Sequence, residues 1–186
     1  DREFTTLDRL LITIHSQKRH HNKNRTNYRR ELLLETGKEH KLKRLISFLD
    51  ELRVKYTKTP KRNGKVTLIK ASLKDVIAVD VIEKIKNLSY INLEEIDGNW
   101  GRQFLEELKF WKGSTKEGYD LFNYKSVGEE GAVDKIMEIC AISGYKVSKS
   151  IYNKEKHSSE KGYWELSITP KDKATYPKRV EVDYDD

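Results

Sequence analysis

The stretch Thr5-Thr6-Leu7-Asp8-Arg9-Leu10-Leu11-Ile12-Thr13-Ile14-His15-Ser16 sets the reading of the chain. Leu7, Leu10, Leu11 and Ile14 recur at three- and four-residue spacing behind two threonines able to cap, so residues 5–16 predict a helix with one apolar face. The composition then changes abruptly. Residues 16–30 are dense in Lys, Arg, His and Asn, too polar for a core. With residues 28–36 they predict a basic hairpin whose second strand turns Leu32 and Leu34 to one side. Gly37 opens a second helix through Leu42, Leu45, Ile46, Leu49 and Leu52. Residues 54–59 and 66–71 predict another hairpin around Asn63-Gly64, and residues 73–88 a further helical stretch.

The same order then returns. A helix from Trp100 to Trp111 ends at Gly113, short strands flank Gly118 (119–125), and a helix through Val133, Ile136, Ile139, Cys140 and Ile142 ends at Gly144. Strands at 145–153 and 162–169 enclose the polar loop 154–161. Leu105 stands 95 positions after Leu10, and Ile136 stands 91 after Leu45. A near-constant offset marks a duplicated unit. The expected fold is α+β: two pseudo-symmetric αββαββα repeats, 1–92 and 93–170, with a charged tail over 171–186. Each repeat should build a four-stranded antiparallel sheet with helices on one face and the other face open.

Charge indicates the partner for that face. The 186 residues include 37 Lys and Arg against 30 Asp and Glu, a formal +7, which favours a polyanion. Cys140 is the one cysteine. Its apolar neighbours make it a small core residue, which excludes a disulfide scaffold and a cysteine metal cluster and suits a reducing compartment. No apolar run approaches a bilayer's thickness, so no membrane partner is expected. The expected location is intracellular, in the cytoplasm or with a prokaryotic or phage nucleoid.

The open faces are expected to bind double-stranded DNA. In the first repeat they collect His20, His21, Lys23, Asn24, Arg25, Asn27, Arg29 and Arg30, then Lys55, Lys58, Lys61, Arg62 and Lys65. The second repeat offers Lys116, Tyr119, Asn123, Lys125, Lys146, Lys149, Tyr152, Asn153, Lys154 and Lys156. A twisted ribbon fits the major groove, where Arg and Lys meet guanine edges, Asn meets adenine, and rim cations meet phosphates. A solvated charged face is the competing reading. His15, His20 and His21 also invite zinc, but their spacing crosses a helix end and no further ligand joins them.

The first helix together with Trp100-Gly101-Arg102-Gln103-Phe104-Leu105-Glu106-Glu107-Leu108-Lys109-Phe110-Trp111-Lys112-Gly113-Ser114 resembles the paired motif helices of two-repeat LAGLIDADG homing endonucleases, above all the kind carried in inteins. The resemblance runs through nearly the whole chain. Residues 180–185 are similar to the point where an intein resumes its splicing domain. With Asp1 in place of Met, this suggests a segment excised from a longer polypeptide.

The resemblance implies a monomeric DNA-binding saddle with internal pseudo-two-fold symmetry and the motif helices paired at its centre. It also implies an acid at the foot of each motif helix that holds Mg²⁺ for phosphodiester hydrolysis. On this chain those two catalytic positions are Gln17 and Lys112, and Lys18 replaces the first motif's glycine while Gly113 keeps the second. Gln lends one neutral oxygen, and Lys has no acceptor and repels a cation. The expected function is therefore sequence-specific binding with cleavage lost or strongly impaired, and no cofactor for this copy. Competing readings are an active endonuclease with unconventional ligands, a structural intein insert without DNA function, and, last, RNA binding.

Overall fold

The computed structural model describes residues 2–17, 25–26, 29–152 and 162–170. The chain divides into two compact units, Glu3–Ile91 and Asn92–Asp186, the latter together with Asp1–Arg2.

The N-terminal unit opens with α1 (Thr6–His15). Its start is a capping box: Asp8 N donates to Thr5 Oγ1 at 3.3 Å, and Thr5 N donates to Asp8 Oδ2 at 2.8 Å. Leu10, Leu11, Ile12 and Ile14 are buried. The strands are β1 (Arg25–Thr26), β2 (Glu31–Thr36), β3 (Tyr56–Lys61) and β4 (Val66–Ser72), with α2 (Glu39–Glu51) between β2 and β3. They form an antiparallel sheet in the order β1-β2-β4-β3. Leu32 lies opposite Ala71 and Leu34 opposite Ile69, and all four are buried, so these pairs mark the core face. On that side α2 packs against α1 and β2.

Residues 73–88, read as helical from spacing, form only a single helical turn, α3 (Val79–Ile82), within a run of turns. A helix would offer the Lys74 and Ile77 carbonyls to amides four residues on. Here both accept from Arg30 Nη1, at 3.4 and 3.2 Å. Leu88 is left-handed at φ 58°, which no helix interior allows. The segment still buries Leu73, Ile77, Ile85 and Leu88, so its apolar residues serve the core without the helix.

The C-terminal unit repeats the plan. After a 3₁₀ turn at Leu93–Glu95 come α4 (Gly98–Lys112), β5 (Ser114–Lys116), β6 (Tyr119–Lys125), α5 (Glu130–Ser143), β7 (Tyr145–Tyr152) and β8 (Tyr163–Pro170). Asp97 caps α4 by accepting from Trp100 N at 2.9 Å, and Gly144, at φ 79°, closes α5 in the left-handed conformation. The sheet order is β5-β6-β8-β7, the same strand permutation as in the first unit. Shared element order and shared sheet order are what a duplicated unit predicts. Phe122 opposite Leu166 and Tyr124 opposite Trp164 mark the core face, against which α4 and α5 pack. The fold class is thus α+β with two antiparallel sheets. Among the described residues, no helix is long and apolar enough to cross a membrane.

Candidate nucleic-acid interface and motif-helix feet

Strand register assigns each residue to a face, because direct partners share a side and neighbours alternate. In the second sheet Lys125 lies opposite Tyr163, Asn123 opposite Glu165, and Lys116 opposite Tyr119, all on the face away from the core pairs. Lys146, opposite Thr169, and Ser150, opposite Glu165, join them from β7. This face is therefore mainly polar: Tyr, Asn, Ser and Thr with lysines at intervals, together with Glu165 and Leu121.

Lys149 does not belong to it. It lies opposite Leu166, on the core face, and its Nζ stands 4.3 Å from the centre of the Trp164 ring. Val147 and Ile151, two residues to either side, already show that alternation in the sequence. Tyr163, Glu165, Ser167 and Thr169 share the open face although they do not belong to the residues expected there from charge. The apolar set Trp164, Leu166 and Ile168 was the signal that sends them to the open side.

The first sheet gives two further corrections. Lys58 lies opposite Ile69, on the core-side face of edge strand β3, exposed at its edge. Arg30, at φ 63°, sends its guanidinium to the carbonyls of Lys74 and Ile77 and ties down the segment after β4. Both fall outside the shared open face expected of them. That face holds Leu33, Lys70 and Thr57 in one row and Glu35, Leu68 and Thr59 in the next. Glu31 also lies there, 3.7 Å from Lys70. Two glutamates thus sit on a surface read as basic.

The cations of this unit lie instead at the β3–β4 turn. Arg62 and Lys65 are exposed there with Lys61, the last residue of β3, whereas the exposed Lys55 stands at the other end of that strand. Arg62 and Asn63 have φ of 50° and 58°, the signs of a type I′ turn closed by Gly64 N to Lys61 O at 3.0 Å. A second turn, closed by Lys65 N to Arg62 O at 3.2 Å, overlaps it with Gly64 at φ 83°, so the loop between Lys61 and Val66 centres on Asn63-Gly64 as expected. Arg29 is exposed, Arg25 begins β1 and Tyr152 ends β7. His20, His21, Lys23, Asn24, Asn27, Asn153, Lys154 and Lys156 lie outside the described residues.

The two units differ in charge. Glu3–Ile91 holds 21 Lys and Arg against 10 Asp and Glu, a formal +11, whereas the remainder holds 16 against 20, a formal −4. The overall +7 conceals this.

At the foot of α1, Gln17 Nε2 donates to Leu33 O at 2.8 Å and Gln17 Oε1 accepts from Thr26 Oγ1 at 2.7 Å. The amide joins the helix end to both strands of the first hairpin. At the foot of α4, Lys112 Nζ stands 4.4 Å from the centre of the Tyr124 ring, which is 2% exposed. Gly113 follows at φ −89°, so its place is set by space: an added Cβ would lie 2.8 Å from Phe122 Cε1. In the preceding turn Glu107 is buried and accepts from Trp111 Nε1 at 2.9 Å.

Neither foot, taken by itself, suits a divalent cation, which takes several anionic or neutral oxygens. Gln17 spends its oxygen on a hydroxyl, and Lys112 brings positive charge. Among the described residues no three His, Cys, Asp or Glu come together as a metal site. His15 Nδ1 lies 2.9 Å from Ile85 O, held to the backbone.

No protein-family model and no curated protein sequence matches the chain. Solved structures match its shape. The crystal structure of I-DmoI in complex with DNA and Mn aligns over 98% of this chain and 99% of that one, with TM-score 0.54 and 13% identity. I-DmoI with DNA and Ca aligns over 92% and 88%, with TM-score 0.52 and 14% identity. Full-length DUF199/WhiA from Thermatoga maritima aligns over 91% of this chain and 52% of its own, with TM-score 0.55 and 14% identity. The fold is that of the LAGLIDADG homing endonucleases.

Proposed function

We propose that this chain binds double-stranded DNA sequence-specifically as a monomer and has lost, or nearly lost, the power to cleave it. The observation that carries the proposal is the pair of motif-helix feet. Gln17 is committed to Thr26 and Leu33, and Lys112 places an ammonium where catalysis would need a carboxylate. Hydrolysis by this route needs oxygen ligands at both feet to hold metal ions and activate water. Binding needs only the surfaces. The polar open face of the second sheet and the cationic β3–β4 turn remain suited to base edges and phosphates. The solved homing-endonuclease complexes of this fold contain DNA and divalent metal, which supports DNA as the ligand considered first.

The test is selection of bound duplexes from a random library with the full chain. A plasmid carrying the enriched site is then incubated with Mg²⁺ or Mn²⁺. Enrichment of one site, with supercoiled plasmid left intact by the wild type, is the expected result. Clean double-strand breaks would instead establish an active endonuclease, and no enrichment at low salt would overturn DNA recognition. The double variant Gln17→Asp/Lys112→Asp, which returns an acid to each foot, is expected to nick or cut the site where the wild type does not.

A further inference from the structure

We infer that the two units divide the work on DNA: the N-terminal unit supplies the grip on phosphates, and a row of side chains on the second sheet reads the bases. The inference rests on the double-stranded DNA reading above. Its first support is charge. The unit Glu3–Ile91 carries a formal +11 and the rest of the chain −4. Neutralising phosphates releases counterions and gives affinity without sequence information. The other unit, net negative although its open face carries Lys116, Lys125 and Lys146, contributes less of that term.

The second support is where each kind of side chain stands. On the first sheet, β2 and β4 put Glu31, Leu33, Glu35, Leu68, Lys70 and Ser72 on the open face, where Lys70 stands 3.7 Å from Glu31 and two aliphatics offer no hydrogen bond to a base edge. That unit's exposed Lys61, the last residue of β3, and Arg62 and Lys65, in the β3–β4 turn, cluster at one end of the sheet, a rim where phosphates would lie. On the second sheet, Asn123 of β6, Glu165 of β8 and Ser150 of β7 form one continuous row, since Asn123 and Ser150 both pair with Glu165. Asn123 and Ser150 are exposed. Asn bonds adenine N6 and N7, a carboxylate accepts from cytosine N4, and Ser bonds either kind of edge. The row therefore favours A and C on the strand it faces. Its one anion repels phosphates and so keeps it from binding DNA indiscriminately.

The experiment uses the full chain, the enriched duplex and a scrambled duplex of equal length, with affinity read by fluorescence anisotropy across a salt series. The turn variant Lys61→Gln/Arg62→Gln/Lys65→Gln is expected to weaken both duplexes equally and to reduce the salt slope by about 3. The row variant Asn123→Ala/Ser150→Ala is expected to weaken the enriched duplex roughly 10- to 100-fold. The scrambled duplex and the salt slope should stay unchanged. Matching thermal melts of the variants and wild type establish that both fold. If the row variant keeps the full preference for the enriched site, or the turn variant loses that preference, the division of labour is overturned while DNA binding stands. If neither duplex binds at low salt, the DNA reading itself is overturned.

Discussion

Gln17 and Thr26 are joined by a 2.7 Å hydrogen bond from the threonine hydroxyl, and the same amide reaches across to the carbonyl of Leu33 at 2.8 Å. The Gln17 side chain is thus a bracket between helix and hairpin. Gln17→Glu keeps the acceptor for Thr26 but, when ionised, sets a carboxylate against the Leu33 carbonyl. Only the protonated acid can donate there, so the folded state raises that carboxyl's pKa. Stability should match wild type below the ordinary Glu value of about 4.3 and fall as pH rises through the raised folded value. Urea midpoints relative to wild type, at about pH 4 and pH 7, check this, with a loss of about 1–2 kcal/mol expected at the higher pH.

Lys112 and Tyr124 make the second bracket. Lys112→Arg should be nearly neutral for stability, whereas Lys112→Asp sets negative charge near the ring and should cost about 1–2 kcal/mol. Thermal melting of the three proteins ranks them. An Asp variant as stable as wild type would show that the lysine contributes nothing to the fold.

Gly101 is required by the approach of α5 to α4. A Cβ there would collide with the Ser143 hydroxyl, which donates to Ile139 O at 2.6 Å. Gly101→Ala should cost about 1–3 kcal/mol through overpacking. Combined with Ser143→Ala it should recover part of that loss, a coupling visible in a double-mutant cycle.

Cys140 is buried, and burial pushes its thiol up to about 12 from 9.0. At pH 7–8, near neutrality, it should resist a disulfide reagent in the native protein and react promptly in denaturant. Because the folded-state value is raised, this group's contribution to stability is complete below pH 9 and is lost between pH 9 and about 12. Denaturation midpoints across that alkaline range would follow the loss. Rapid native labelling would contradict the burial.

Much of the fold was legible because its elements announce themselves locally. Leu10, Leu11 and Ile14 follow a helical period, Thr5 is a cap, and Gly144 marks a left-handed end. Residues 73–88 misled because apolar spacing reports burial and not the path of the backbone. Arg30, more than 40 residues away in sequence, takes the carbonyls a helix would use. The interface was legible in composition and less so in placement. Lys149 and Lys58 count as basic residues in any tally, yet the pleat turns both to the side of the core pairs.

By itself the sequence determined the repeated order of helices and hairpins, the apolar set that fills each core, and the presence of Gln17 and Lys112, neither of them an acid, just after α1 and at the end of α4. These follow from local periodicity and residue identity. Tertiary structure decided which strand edges meet, and with them the row Asn123–Glu165–Ser150 and the tethering of Gln17. Those depend on sheet register, where a shift of one residue sends every side chain to the opposite face.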